Sequence, residues 1–92
     1  MGRAALIVAD MINDFLDPQG ALYVGETGRE IIPFVARKIE ETRAKGGVVV
    51  FVCDAHAPDD REFRRWPAHG VKGTWGAQII PEIAVQPGDV RV

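Results

Sequence analysis

The stretch "AKGGVVVFVCDAH", residues 44–56, decides the fold. Gly46-Gly47 closes whatever precedes it, because glycine is a poor helix former and readily takes the left-handed backbone that ends helices. Val48 to Cys53 then runs apolar with no alternation. Such a short run of β-branched and aromatic residues reads as a strand buried on both faces, the habit of parallel strands. Asp54 stops the run, and His56 follows two residues later.

Working outward toward the N-terminus, Ala4 to Ala9 is a second run of this kind, stopped by Asp10. Residues 11–26 carry loop chemistry in Asn13, Asp14, Asp17-Pro18, Gly20 and Gly25. A helical stripe of Ile32, Val35, Ile39 and Thr42 follows, with charged residues on the other faces. Thr27 and Glu30 have the spacing of a capping box, which predicts the start there, and Pro33 fits only inside the first turn. Strand, helix, strand over this length is a βαβ unit with neighbouring parallel strands. Toward the C-terminus a long loop follows, with a short helical turn expected over Gln78 to Ile83. "DVRV", Asp89 to Val92, reads as the start of a third strand. Leu6, Val8, Val49, Phe51 and Val90 are expected to gather on this sheet.

The fold class is therefore α/β: the N-terminal part of a mostly parallel, doubly wound, Rossmann-like sheet. One helix cannot cover both faces of strands that are apolar on both sides. Residues 1–92 are thus expected to be the N-terminal portion of a single larger domain, completed by a C-terminal half or a second chain. A small two-layer domain that forms a homo-oligomer over its bare face is the alternative.

Composition narrows the class of partner. The chain is 47% hydrophobic and 26% charged, with a net charge of −2. That near-balance argues against nucleic acid and anionic membranes, which attract a basic face. No apolar run approaches the roughly 20 residues of a membrane span. A single cysteine makes no internal disulfide, so a cytoplasmic setting is expected.

In a parallel sheet, ligands collect beyond the carboxyl ends of the strands. Asp10 and Asp54 both end strands, so both should stand at that edge. After Asp54 the order is His56, Glu62 and His69. Two imidazoles and two carboxylates suit a divalent metal such as Zn, Fe or Mn, and solvated loop side chains are the bland alternative. Phe15 and Trp66 flank these motifs and could wall a flat ligand or simply anchor loops. Cys53 reads as core packing, and the charges of Asp59-Asp60-Arg61 and Arg64-Arg65 as a solvated loop face.

Three stretches together, "ALIVADMINDFLDPQGAL", "GREIIPFVARKIEETRAKGGVVVFVCDAH" and "EFRRWPAHGVKGTWGAQIIPEI", resemble the isochorismatase-like cysteine hydrolases, which include the nicotinamidases. The resemblance implies that Asp10 is the catalytic aspartate, and that Asp54, His56, Glu62 and His69 are metal ligands of the nicotinamidase branch. It implies that Phe15 and Trp66 line the pocket for an aromatic amide substrate. It also implies an attacking cysteine thiolate and a supporting lysine, both expected beyond residue 92, since Cys53 and Lys72 stand elsewhere in the pattern. On this reading residues 1–92 alone are inactive. Rival readings are a family hydrolase of isochorismate or a carbamoyl compound, and a non-catalytic module that binds metal or a partner.

Overall fold

The computed structural model describes residues 3–92. Strands β1 (Ala5–Ala9), β2 (Val48–Val52) and β3 (Val90–Arg91) form a parallel sheet in the order β1-β2-β3. The pairing runs from Ala5 opposite Val48 to Ala9 opposite Val52, and β3 joins with Val90 opposite Val50. The α/β class and the βαβ unit are thus present, with "DVRV" as the outer strand.

Between β1 and β2 the chain forms α1 (Asn13–Leu16), α2 (Glu26–Arg29) and α3 (Ile31–Ala44). The capping box does not form. Gly25, at φ 91°, already starts α2, so Thr27 is helical and cannot act as an extended cap. Glu30 precedes α3 without a side-chain cap bond. Pro33 is the third residue of α3, where its missing N–H costs nothing. Gly46, at φ 75°, ends the helix as expected, and the Gly47 amide bonds to the Thr42 carbonyl.

Ile32 and Ile39 of α3 bury against Val8, Val49 and Phe51, joined by Met11, Leu16, Ile80 and Ile83. Each such side chain contributes roughly 1.5–3 kcal/mol when fully buried. The register divides the apolar residues of this sheet between its two faces. Leu6, Val8, Val49 and Phe51 share the covered face, but Val90 lies opposite Val50 and so stands on the other one. A one-residue offset in pairing exchanges the faces.

The expected helical turn over Gln78 to Ile83 also moves. A 3-10 turn forms earlier, at Trp75–Ala77, while residues 78–80 pair with the segment after β1. Asn13 donates to the Gln78 carbonyl (2.9 Å) and Ile80 to the Met11 carbonyl (3.0 Å). Buried backbone groups past the end of β1 need partners, and this segment supplies them.

β3 is tied to α3 by charge. Arg43 Nη2 donates to Asp89 Oδ2 at 2.5 Å, Nε to Oδ1 at 3.3 Å, and Nη2 also reaches the Ala84 carbonyl. The Arg43 hydrogen bond holds the Asp89 carboxyl below its ordinary range. A carboxyl lowered by folding contributes stability above its unfolded value and loses it as pH falls through the folded one. Asp89→Asn is therefore expected to cost about 1–3 kcal/mol at neutral pH. Urea midpoints should show the gap from wild type closing in strong acid, and a pH-independent gap would count against this role. Among the described residues, no helix is long and apolar enough to cross a membrane.

Candidate functional site

Asp10 directly follows β1 and is the one non-glycine residue with a left-handed backbone among those described (φ 57°). Aspartate tolerates that region better than most residues. The turn sends the Asp10 side chain toward β2. Its amide donates to the Val52 carbonyl (2.8 Å), and its Oδ1 accepts the Asp54 amide at 2.9 Å. The two strand-end acids thus stand side by side. Burial raises the Asp10 carboxyl above its usual range; the Asp54 amide opposes this, the Asp54 charge adds to it, and His56 reduces it.

Backbone pairing then returns the long loop to the same edge. The His56 amide donates to the Gly70 carbonyl (2.8 Å) and the Lys72 amide to the His56 carbonyl (2.9 Å), a parallel bridge that sets Val71 opposite His56, and the His69 ring comes within 5.0 Å of the His56 ring. Asp14, buried in α1, accepts the Gly70 amide at 2.8 Å and the Ala21 amide at 3.1 Å, which pins the turn. Gly70 takes φ 54°, and a Cβ there would lie 3.0 Å from that of Asp54. Glycine is favoured on both counts.

Asp54 and Glu62 both approach His56 Nε2, while His69 joins through Asp54. That nitrogen lies 3.3 Å from Asp54 Oδ2 and 3.2 Å from Glu62 Oε2. His69 Nε2 lies 4.0 Å from the same Asp54 oxygen. Asp54, His56 and His69 each offer a ligand atom within 4.8 Å of the others. His69 is 3% exposed, and its Nδ1 donates to the Pro67 carbonyl at 2.7 Å, because a carbonyl only accepts. That bond leaves Nε2 as the nitrogen facing Asp54. Among the described residues, no lysine or arginine side chain pairs with these carboxylates and imidazoles. Such a set of acceptors fits a divalent cation, or in its absence a proton on His56. The His56 imidazole is in fact raised above its usual pKa, first by Asp60 and then by Asp54 and Glu62.

Aromatic rings wall this cluster. Phe15 tilts against His69 with centroids 5.7 Å apart. Phe63, which the sequence reading passed over, lies 5.5 Å from both His56 and His69. Trp66 makes no ring pair among the described residues and is 54% exposed. Cys53 lies one residue past β2, half-buried against the core, and its thiol is raised mainly by burial. The solvated-loop reading of Asp59-Asp60-Arg61 needs correcting at Asp60, which binds His56 Nδ1 at 3.0 Å. The spacing of Asp60 to Glu62, an acid two residues before the amide it caps, was the available signal.

The α/β sheet gathers paired acids and a His/carboxylate cluster at one edge, and comparison gives the family. The isochorismatase domain matches residues 4–92, and the chain belongs to that family. A pyrazinamidase of Pyrococcus horikoshii, solved in complex with zinc, superposes with a TM-score of 0.87 at 37% identity, covering 98% of this chain and 50% of that one. An N-carbamoylsarcosine amidase of Thermoplasma acidophilum gives 0.83 at 38% identity, covering 95% and 49%. The nicotinamidase of Saccharomyces cerevisiae is 28% identical over 88% of this chain and 50% of its own length. The chain spans about half the length of the curated relatives it matches.

Proposed function

We propose that residues 1–92 supply the N-terminal half of an amide hydrolase of the nicotinamidase type, converting nicotinamide to nicotinate and ammonia. The observation that carries this reading is the meeting of Asp54, His56 and His69, with Glu62 reaching the same His56 nitrogen. These four residues would hold a divalent metal (Zn, Fe or Mn). When bound, the metal supplies a Lewis-acid contact that orients a ring nitrogen of the substrate. Phe15 and Phe63 exclude water from one side of the site, and Trp66 has an exposed ring available to a flat amide.

Asp10 accepts a proton. Its carboxylate is held by the Asp54 amide and desolvated by its surroundings, which favours proton uptake when a neighbouring thiol or water is activated. The attacking thiol and its lysine come from the rest of the enzyme. Cys53 is a poor substitute, because burial disfavours its thiolate. The enzyme is expected to work in the cytoplasm.

Metal analysis of the purified protein tests the site. One ion per chain is expected, and His56→Ala or His69→Ala should leave it largely empty, since ligands act together. Full occupancy in both variants would remove the site. The likeness to an N-carbamoylsarcosine amidase favours a second reading, hydrolysis of a carbamoyl amide. Ammonia release from nicotinamide and from an N-carbamoyl amino acid, measured side by side, separates the two.

A further inference from the structure

Asp60 stands outside the four ligand residues, yet its two carboxylate oxygens reach two of them. Oδ2 lies 3.0 Å from His56 Nδ1, and Oδ1 accepts the Glu62 amide at 2.8 Å. An ionised carboxylate only accepts, so Nδ1 carries a proton, and a cation bound at Nε2 would take the place of a second one. That is the nitrogen facing Asp54 and Glu62. The Oδ1 bond also starts the 3-10 turn Arg61–Arg64, and this turn brings Glu62 back over His56. Phe63, on the same turn, packs edge-on against the His56 ring at 71°. The ring is thus held at its far nitrogen and along one face.

We propose that Asp60 is a positioning residue: it sets the Nδ1–H tautomer of His56 and places Glu62, so that both turn electron pairs toward one divalent cation. This inference rests on the metal reading given above. A His, Asp60 and Glu62 grouping could itself be taken for a ligand set. Both Asp60 oxygens, however, are already engaged by donors of this chain, whereas Asp54 Oδ2 faces both Nε2 atoms. A carboxylate behind a ligating histidine orients the ring and strengthens it as a ligand, and losing such a partner weakens metal binding about 10–100-fold.

Two variants of the full protein separate the roles. Asp60→Ser keeps an oxygen able to cap the Glu62 amide but is too short to reach His56, while Asp60→Ala loses both bonds. Cobalt(II) titration by calorimetry and imidazole 15N NMR of the metal-free protein in alkaline buffer are the readouts. We expect Asp60→Ser to weaken cobalt about 10–100-fold and to move His56 away from the Nδ1–H tautomer, with Asp60→Ala weaker still. An Asp60→Ser protein with wild-type affinity and tautomer would overturn the proposal and leave Asp60 a turn cap only. Should the wild-type protein bind no cobalt, the metal reading fails, and the metal-free tautomer comparison still decides whether Asp60 governs His56.

Discussion

Asp10→Asn is expected to lower the turnover of nicotinamide by about 10²–10⁴-fold, the range that a positioned proton acceptor supplies. Near the middle of that range the loss is about 4 kcal/mol of barrier. The substitution is nearly isosteric. An asparagine Oδ1 can still accept the Asp54 amide, so the bond that joins the two strand ends survives. The left-handed backbone survives as well, because asparagine tolerates it as readily as aspartate. What disappears is the ability to take a proton. Metal occupancy should stay at the wild-type level, since Asp10 is not among the converging ligand atoms. That combination, ion kept and turnover lost, identifies a proton acceptor. Turnover within tenfold of wild type would assign the proton to another group, and loss of the ion together with activity would make Asp10 a structural strut for Asp54.

The sequence disclosed most of this edge for simple reasons. Apolar runs broken by Asp10 and Asp54 place both acids at strand ends, because a charged side chain cannot continue a run buried on both faces. Gly46-Gly47 marked the end of α3, because a left-handed residue ends a helix wherever the tertiary contacts lie. The start of α3 was less legible. Thr27 and Glu30 have the right spacing for a cap, yet Gly25 turns the chain two residues sooner, and local spacing alone does not register that competition. Asp60 and Phe63 were hidden for another reason. Their roles exist only once the loop has folded back, through pairing of His56 with residues 70–72 and of Ile12 with Ile79. Those bridges join residues far apart in sequence, and no periodicity announces them. The face that Val90 presents was not legible either, because its register against β2 is a pairing property, not a property of four residues.

The same register yields the second large effect. Ala5, Ile7 and Ala9 of β1, Val48, Val50 and Val52 of β2, and Val90 of β3 share the face opposite α3, and the Val92 amide extends the ladder to the Phe51 carbonyl. Every side chain on that face is apolar. Ile7 is 68% exposed and Val92 75%, because α3, the only long helix among the described residues, covers the other side. Leaving apolar area in water is unfavourable by roughly 25 cal/mol per Å2, and an open strand edge invites pairing. We expect a second layer to cover this face in the working enzyme, supplied by the other half of the fold. Ile7→Lys separates the possibilities because its cost depends on what faces it. On an uncovered face the ammonium stays in water, and the substitution is near neutral or improves solubility. Under a packed layer it leaves an unpaired buried charge, at a cost of about 3–5 kcal/mol. The isolated chain, residues 1–92, should therefore bind hydrophobic dye or self-associate, and Ile7→Lys should reduce both. In the complete enzyme the same substitution should lower the denaturation midpoint sharply and deplete active protein. An isolated chain that sediments as a dye-free monomer and unfolds cooperatively would show that the face needs no cover. A complete enzyme indifferent to Ile7→Lys would show that nothing covers it.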